Sequence, residues 1–292
     1  MAEIVIHLFG PMEVDGRPAG TPIPMARSAL QLLGFLALYA DRPLPREAVA
    51  AELWPDCEPQ RARARLSTAM WRLRAALAVF GCSRVLVCEG EATIGLDDRV
   101  LDAVDTRGFE RRARLFLERA DDLAWPTAEE SGRARGVPLA GWYAHWALQA
   151  RARLEDLRER GLTVLLQRQV AAKLDDAAID TAQELLRIDP LREDVHQQLM
   201  AIYAGQGRFA LVKRQYERCR QILEQELAVA PMVETRALAE SAASWAAAPA
   251  SSPVAGIGEL EALRHAVAET QRNLATVTAQ LEALLLRSQG SR

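Results

Sequence analysis

Five arginines and no acid fall between Gln60 and Phe80, in the stretch QRARARLSTAMWRLRAALAVF, a composition suited to a polyanion. Leu66, Met70, Leu73 and Leu77 recur there at spacings of four, three and four, which predicts a helix with one face in a core. The face left outside carries Arg63, Arg65, Ser67, Thr68, Trp71, Arg72 and Arg74. Guanidinium groups pair bidentately with phosphate or with guanine edges, and serine and threonine hydroxyls take backbone or base contacts. An ordinary surface helix with a solvated arginine face has the same pattern, in a chain that uses arginine far more than lysine.

No other chemistry assembles from the residues. The chain has no GxxxxGK[ST], GxGxxG, HExxH or GxSxG, and only four histidines, so a non-catalytic protein is expected. Cys57, Cys82, Cys88 and Cys219 are scattered without a CxxC pair or a histidine at ligand spacing. Reduced, packing cysteines follow, with no metal, no cofactor and no small-molecule ligand; a thiol switch between Cys82 and Cys88 stays open. The formal charge of −3 makes any nucleic-acid contact a local, salt-sensitive patch. No apolar run approaches the roughly 20 residues that cross a bilayer, and MAEIVIHLFGPMEV lacks the basic and cleavage regions of a signal peptide. A cytoplasmic protein with no membrane partner is expected.

The elements around the arginine helix have to present it. Ile4 to Phe9 and Met12 to Val14, separated by Gly10-Pro11 and followed by Asp15-Gly16, read as short strands and tight turns. Ala26 to Tyr39 is apolar nearly all round and predicts a buried helix, with Arg27 and Ser28 in a first turn able to hold a phosphate; a plain solvated Arg27 is the alternative. A second helix runs from Arg46 to Leu53, and Pro43 and Pro45 bracket the turn before it. Beyond the arginine helix, Val85 to Cys88 and Ala92 to Leu96 flank Glu89-Gly90-Glu91 as a hairpin. Strands, three helices and a closing hairpin make a winged helix-turn-helix, whose third helix enters the major groove while the hairpin lies on the backbone.

Three runs, HLFGPMEVDGRP, ARSALQLLGFLALYADRPLPREAVAAELWPD and ARARLSTAMWRLRAAL, resemble the DNA-binding domain of antibiotic regulatory protein (SARP-type) transcription factors, relatives of the OmpR-like winged helix. The resemblance spans Ile4 to Phe109. It implies that Arg63, Arg65, Ser67, Thr68, Trp71, Arg72 and Arg74 read double-stranded DNA and that Arg27 meets a phosphate. It also implies that Asp56 and Glu58 sit in a loop that can touch RNA polymerase. One departure concerns the wing tip, where Glu89 and Glu91 would repel phosphate. Either the wing stands away from DNA, or it meets a protein, or DNA binding is weak.

Downstream, Phe109 to Arg119 predicts a helix, Asp121 to Pro138 a polar loop, and an all-helical region begins near Gly141. A 34-residue offset pairs Leu165 with Leu199, Ala178 with Val212, Ala182 with Tyr216 and Leu185 with Cys219. That is the tetratricopeptide period, a helix pair that buries its apolar face on neighbours. Tyr216 falls on the large core position, and His196 is expected as a partly exposed packing residue. The runs GWYAHWALQARARLEDL, DPLREDVHQQLMAIYAGQGR and QYERCRQILEQELAVAP resemble the bacterial transcriptional activation domain (BTAD) from Val104 to Ser241. The resemblance implies a helical domain that packs on the winged helix, supports dimers on direct-repeat promoter DNA and can contact the polymerase holoenzyme.

Ala246 to Gly258 reads as a flexible linker. After it, Leu260, Leu263, Val267, Thr270, Leu274, Val277, Leu281 and Leu284 alternate three and four, a heptad seam expected to join copies of the chain in a coiled coil. A single amphipathic helix folded back on the repeat is the alternative. The expected fold class is mainly α: a winged-helix DNA-binding domain over 1–103, a TPR-like BTAD over 104–245, the linker over 246–258 and the coiled coil over 259–288. The expected function is a sequence-specific, DNA-binding transcription regulator of the bacterial nucleoid, an activator. A scaffold or adaptor that uses the repeat domain and the coil for protein contacts is the alternative.

Overall fold

The computed structural model describes residues 4–16, 20–81, 85–88, 90, 92–118, 125, 136–247 and 267–268. Glu89, Glu91 and Cys82 lie outside them, as does the heptad seam except Val267, which is helical and half-buried. The fold is mainly helical, with small antiparallel sheets near the N-terminus. It packs as two compact units, Met1–Arg168 and Gln169–Arg292.

The first unit opens with β1 (Ile4–His7), β2 (Glu13–Gly16) and β3 (Thr21–Pro22), an antiparallel sheet in that order with Ile6 opposite Val14. Ile4, Ile6 and Val14 share its buried face and belong to one core with Leu32, Leu33 and Leu36 of α1 (Arg27–Tyr39). Each such leucine contributes about 1.5–3 kcal/mol on leaving water. β4 (Leu44–Pro45) leads into α2 (Arg46–Leu53), and α3 (Pro59–Ala78) follows a short loop. The wing is β5 (Leu86–Val87) and β6 (Thr93–Leu96), then α4 (Asp98–Leu101).

The predicted turn between Pro43 and Pro45 contains a strand: Leu44 pairs with Ile94, giving the order β4-β6-β5. Proline cannot donate to a ladder, so it sits in the edge strand, where one side needs no donor. The helix predicted to begin at Phe109 begins earlier, as α5 (Asp105–Glu118). The Asp105 carboxylate explains the earlier start. It accepts from the backbone N–H groups of Leu8 at 2.9 Å, Phe9 at 3.2 Å and Thr106 at 2.6 Å, tying the first turn of α5 to the chain leaving β1. Burial pushes this carboxyl above its ordinary range.

The strand direction is continued by residues from much further along. Leu139 N–H donates to the Leu8 carbonyl at 2.8 Å and Ala140 N–H to Gly10 at 2.9 Å, and Gly10 turns between them at φ +85°. Trp125, in the stretch read as a polar loop, packs edge-on against Phe109 and Phe116 at 5.7 and 5.3 Å. It also explains Gly161 in α6 (His145–Ala171), where an added Cβ would fall 1.9 Å from the Trp125 ring.

The second unit is α7 (Asp175–Ile188), α8 (Glu193–Gly205), α9 (Phe209–Leu227) and α10 (Val233–Ala247), each packed on the next. The 34-residue pairing holds at Ala178 with Val212 and at Leu185 with Cys219, all buried. It slips at two positions: Leu165, paired with the buried Leu199, is half-buried while Leu166 is buried, and Tyr216 is half-buried while Gln215 takes the interior place beside His196. His196 is 1% exposed, not partly exposed as its type suggested. Its Nδ1 meets Gln215 Nε2 at 2.6 Å and its Nε2 meets the Pro190 carbonyl at 3.1 Å. A polar partner on each ring nitrogen makes interior burial tolerable, and no local periodicity announces it.

Desolvation, helped by Arg218, holds the His196 imidazole below its ordinary pKa of 6.5. The unfolded chain therefore binds a proton that the folded chain resists, so stability is lost as pH falls below about 6.5, by at most about 1.4 kcal/mol per pH unit from this group. Urea melts between pH 7.5 and 5.5 should show that slope, and His196→Gln should flatten it. An unchanged slope in the variant would remove His196 as its source.

Candidate nucleic-acid interface

α3 is a 20-residue helix opened by Pro59 at its first position, where a missing N–H costs nothing. At 1.5 Å per residue it is about 30 Å long, enough to lie along a major groove about 12 Å wide. Ala62, Leu66, Ala69, Met70, Leu73 and Leu77 are buried, and they fix which side faces out. Arg63, Arg65, Ser67, Thr68, Trp71, Arg72 and Arg74 are all exposed, as the sequence pattern required. Trp71 is 68% exposed, a large apolar ring with no core role.

Neighbouring elements hold this face differently along its length. Near the start, Arg63 Nη2 pairs with Glu47 Oε1 of α2 at 2.5 Å. Further on, Arg72 Nη1 donates to Ser28 Oγ at the start of α1 at 3.2 Å, and Arg74 Nη2 lies 3.5 Å from Cys88 Sγ in the wing. Ser67 and Thr68 donate back to the carbonyls of Arg63 and Ala64 at 3.1 and 3.0 Å, which leaves their oxygen lone pairs outward as acceptors. Arg65 has no side-chain partner among the described residues, and neither has Arg61. Arg61 is exposed four residues before Arg65, so it belongs to the same edge. The leucine stripe does not single it out, and the signal that marks it in the sequence is its i, i+4 spacing from Arg65.

Arg27 stands apart from the α3 row. Its guanidinium lies 4.4 Å from the centroid of the Trp142 ring and 3.5 Å from the Gly141 carbonyl. A cation over an indole face is held by about 0.5–2 kcal/mol, so a phosphate has to compete with that contact. Asp56 and Glu58 are exposed in the α2–α3 loop, while Cys57 between them turns inward. That alternation leaves two carboxylates for an external partner, and their charge opposes DNA contact at the same spot. Among the described residues no group of histidine, cysteine or carboxylate side chains could hold a metal, and no helix is long and apolar enough to cross a membrane.

Residues 104–242 match the family described as the bacterial transcriptional activator domain. Over 240 residues the chain is 30% identical to the regulatory protein AfsR of Streptomyces coelicolor, which covers 77% of this chain. The chain spans about a fifth of that relative, 22% of its length. Among solved structures it resembles EmbR of Mycobacterium tuberculosis, described as in complex with a low-affinity phosphopeptide. The TM-score is 0.57 at 20% identity, covering 92% of this chain and 71% of that one, a likeness of fold.

Proposed function

We propose that this chain, which belongs with the SARP-type regulators by joining a winged helix to a bacterial transcriptional activator domain, binds promoter DNA through the outward face of α3 and activates transcription. The single observation that carries this reading is the exposed row Arg61, Arg63, Arg65, Arg72 and Arg74, interleaved with Ser67, Thr68 and Trp71 on one groove-sized helix. Guanidiniums at the edges of the helix take phosphates and those at its centre reach base edges. Asp56 and Glu58 offer the polymerase holoenzyme a contact beside the DNA. The activator domain over 104–245 supports dimers on direct repeats, and the heptad segment over 259–288, from Leu260 to Leu284, joins subunits and raises their effective concentration. Such a protein works without a cofactor, in the cytoplasm at the nucleoid.

Selecting bound fragments from a random duplex pool tests the reading, followed by affinity measurements across a salt series on the selected site. If four guanidiniums each neutralise one phosphate, log K falls against log salt with a slope of about −3.5 per subunit. No retained fragment at low salt would sink the regulator. It would select the second reading, an adaptor whose winged helix meets protein, which the net charge of −3 favours.

A further inference from the structure

We propose that the trough formed by α7, α8 and α9 is a docking site for an acidic peptide segment of a partner protein, separate from the α3 face. The trough encloses about 410 Å³, within the range of about 300–1,000 Å³ typical of ligand sites. Its floor is apolar, made by Leu186, Leu199 and Tyr203, all buried. Gln215 completes the floor, with its amide nitrogen 2.6 Å from His196 Nδ1. Arg187, Arg214 and Arg218 stand around it, and no carboxylate is in the lining.

The charge of that rim is not spent inside the protein. Arg187 has a partner in Glu184 at 3.3 Å, but among the described residues no side chain pairs with Arg214 or Arg218. A second depression of about 490 Å³ continues along α9 and shares Arg214 and Arg218, adding Lys213. Glu217, the acid in that continuation, is tied to Arg220 at 2.6 Å. In a chain of net charge −3 this is a local excess of cations around an apolar floor.

The occupant follows from that shape and charge. Duplex DNA needs a convex or broad basic surface and has no use for a buried leucine floor, whereas a compact metabolite would not fill two joined depressions. An extended segment does both: one apolar side chain settles on Leu186, Leu199 and Tyr203, and flanking carboxylates pair with Arg214 and Arg218. Guanidinium–carboxylate pairs are bidentate and charge-assisted, so the contact is directional. Because this site lies in the second unit and the arginine row of α3 in the first, it stands or falls apart from the DNA-binding reading.

The test uses the full chain and a fluorescein-labelled decapeptide, EDELDDLEDE, followed by fluorescence anisotropy at moderate salt. Saturable binding is expected, weakened about ten-fold or more by Arg214→Glu with Arg218→Glu and unchanged by Arg236→Glu on α10. Replacing the peptide leucines by serine should weaken it similarly, and the lysine counterpart should not bind. Both arginines are exposed, so circular dichroism should show the double variant folded, and its binding to the selected DNA site should match the parent. The proposal is overturned if the acidic peptide does not bind, or binds the double variant equally well. It is overturned too if only a phosphoserine version binds, or if the double variant loses DNA affinity, which would make this face a nucleic-acid surface.

Discussion

Arg65→Ala and Arg72→Ala will each weaken binding to the selected DNA site by about 1–3 kcal/mol while leaving the unfolding transition where it was. The two should differ in kind. Arg65 is exposed and unpaired among the described residues, so its whole charge is available and its loss is a loss of contact alone. Arg72 is already drawn to Ser28 Oγ at 3.2 Å, which narrows its orientations before DNA arrives. Ser28→Ala should therefore reproduce part of the Arg72→Ala effect, through lost pre-organisation. Arg63→Ala should cost less than either, because Arg63 has to leave Glu47 before it can serve a phosphate. If one of the central arginines reads a base, its alanine variant relaxes the selected sequence at one position. If it holds phosphate, the variant weakens all sequences alike and reduces the salt slope by about one. Unchanged affinity in both Arg65→Ala and Arg72→Ala would remove α3 as the reading element.

How far the chain could be read in advance follows from where each signal is stored. The α3 face was legible because helical geometry turns spacing into direction: once Leu66, Met70, Leu73 and Leu77 are inside, the arginines can only be outside. α1 was legible as a long run apolar nearly all round, α2 from the prolines that bracket the turn before it, and the wing hairpin because turn residues separate two short apolar runs. The contacts that orient the arginines were not, since Glu47, Ser28 and Cys88 come from three other elements. Arg27 shows the limit most clearly. Its place in the first turn of α1 was correct, but the Trp142 ring that holds it is 115 residues away. Gln215 and Tyr216 show a finer one. A 34-residue period predicts which turn of α9 faces inward, yet adjacent positions differ by only 100° around a helix, and the buried His196 decides between them.

The same long-range packing makes Trp146→Ala the most damaging single substitution expected in the first unit, at about 3–5 kcal/mol. Trp146 is 1% exposed and packs edge-on against Phe35 of α1, with ring centroids 5.8 Å apart. Its backbone carbonyl accepts from Tyr39 Oη at 2.6 Å, and its ring lies in ordinary contact, 3.5 Å, with the space at Gly34 that Met12 fills. The indole therefore sits under the helix that supports α3, although it belongs to α6 and to the region matched as the activator domain. Alanine would leave a cavity beneath α1, in a domain whose total stability is on the order of 5–15 kcal/mol. Trp146→Phe should be milder, since the ring contact with Phe35 survives and the indole N–H has no acceptor among the described residues. Trp71→Ala is the control: at 68% exposure it should shift stability by no more than about 0.5 kcal/mol while still lowering DNA affinity. Urea unfolding followed by far-ultraviolet circular dichroism measures all three. A cost below about 1 kcal/mol for Trp146→Ala would mean that α6 does not complete the winged-helix core in solution, and a fragment ending at residue 103 should then fold alone. With the larger cost, that fragment should lack a cooperative transition. It would lose the Asp105 carboxylate from the Leu8 and Phe9 N–H groups, the Leu139–Leu8 hydrogen bond and the indole under α1 together.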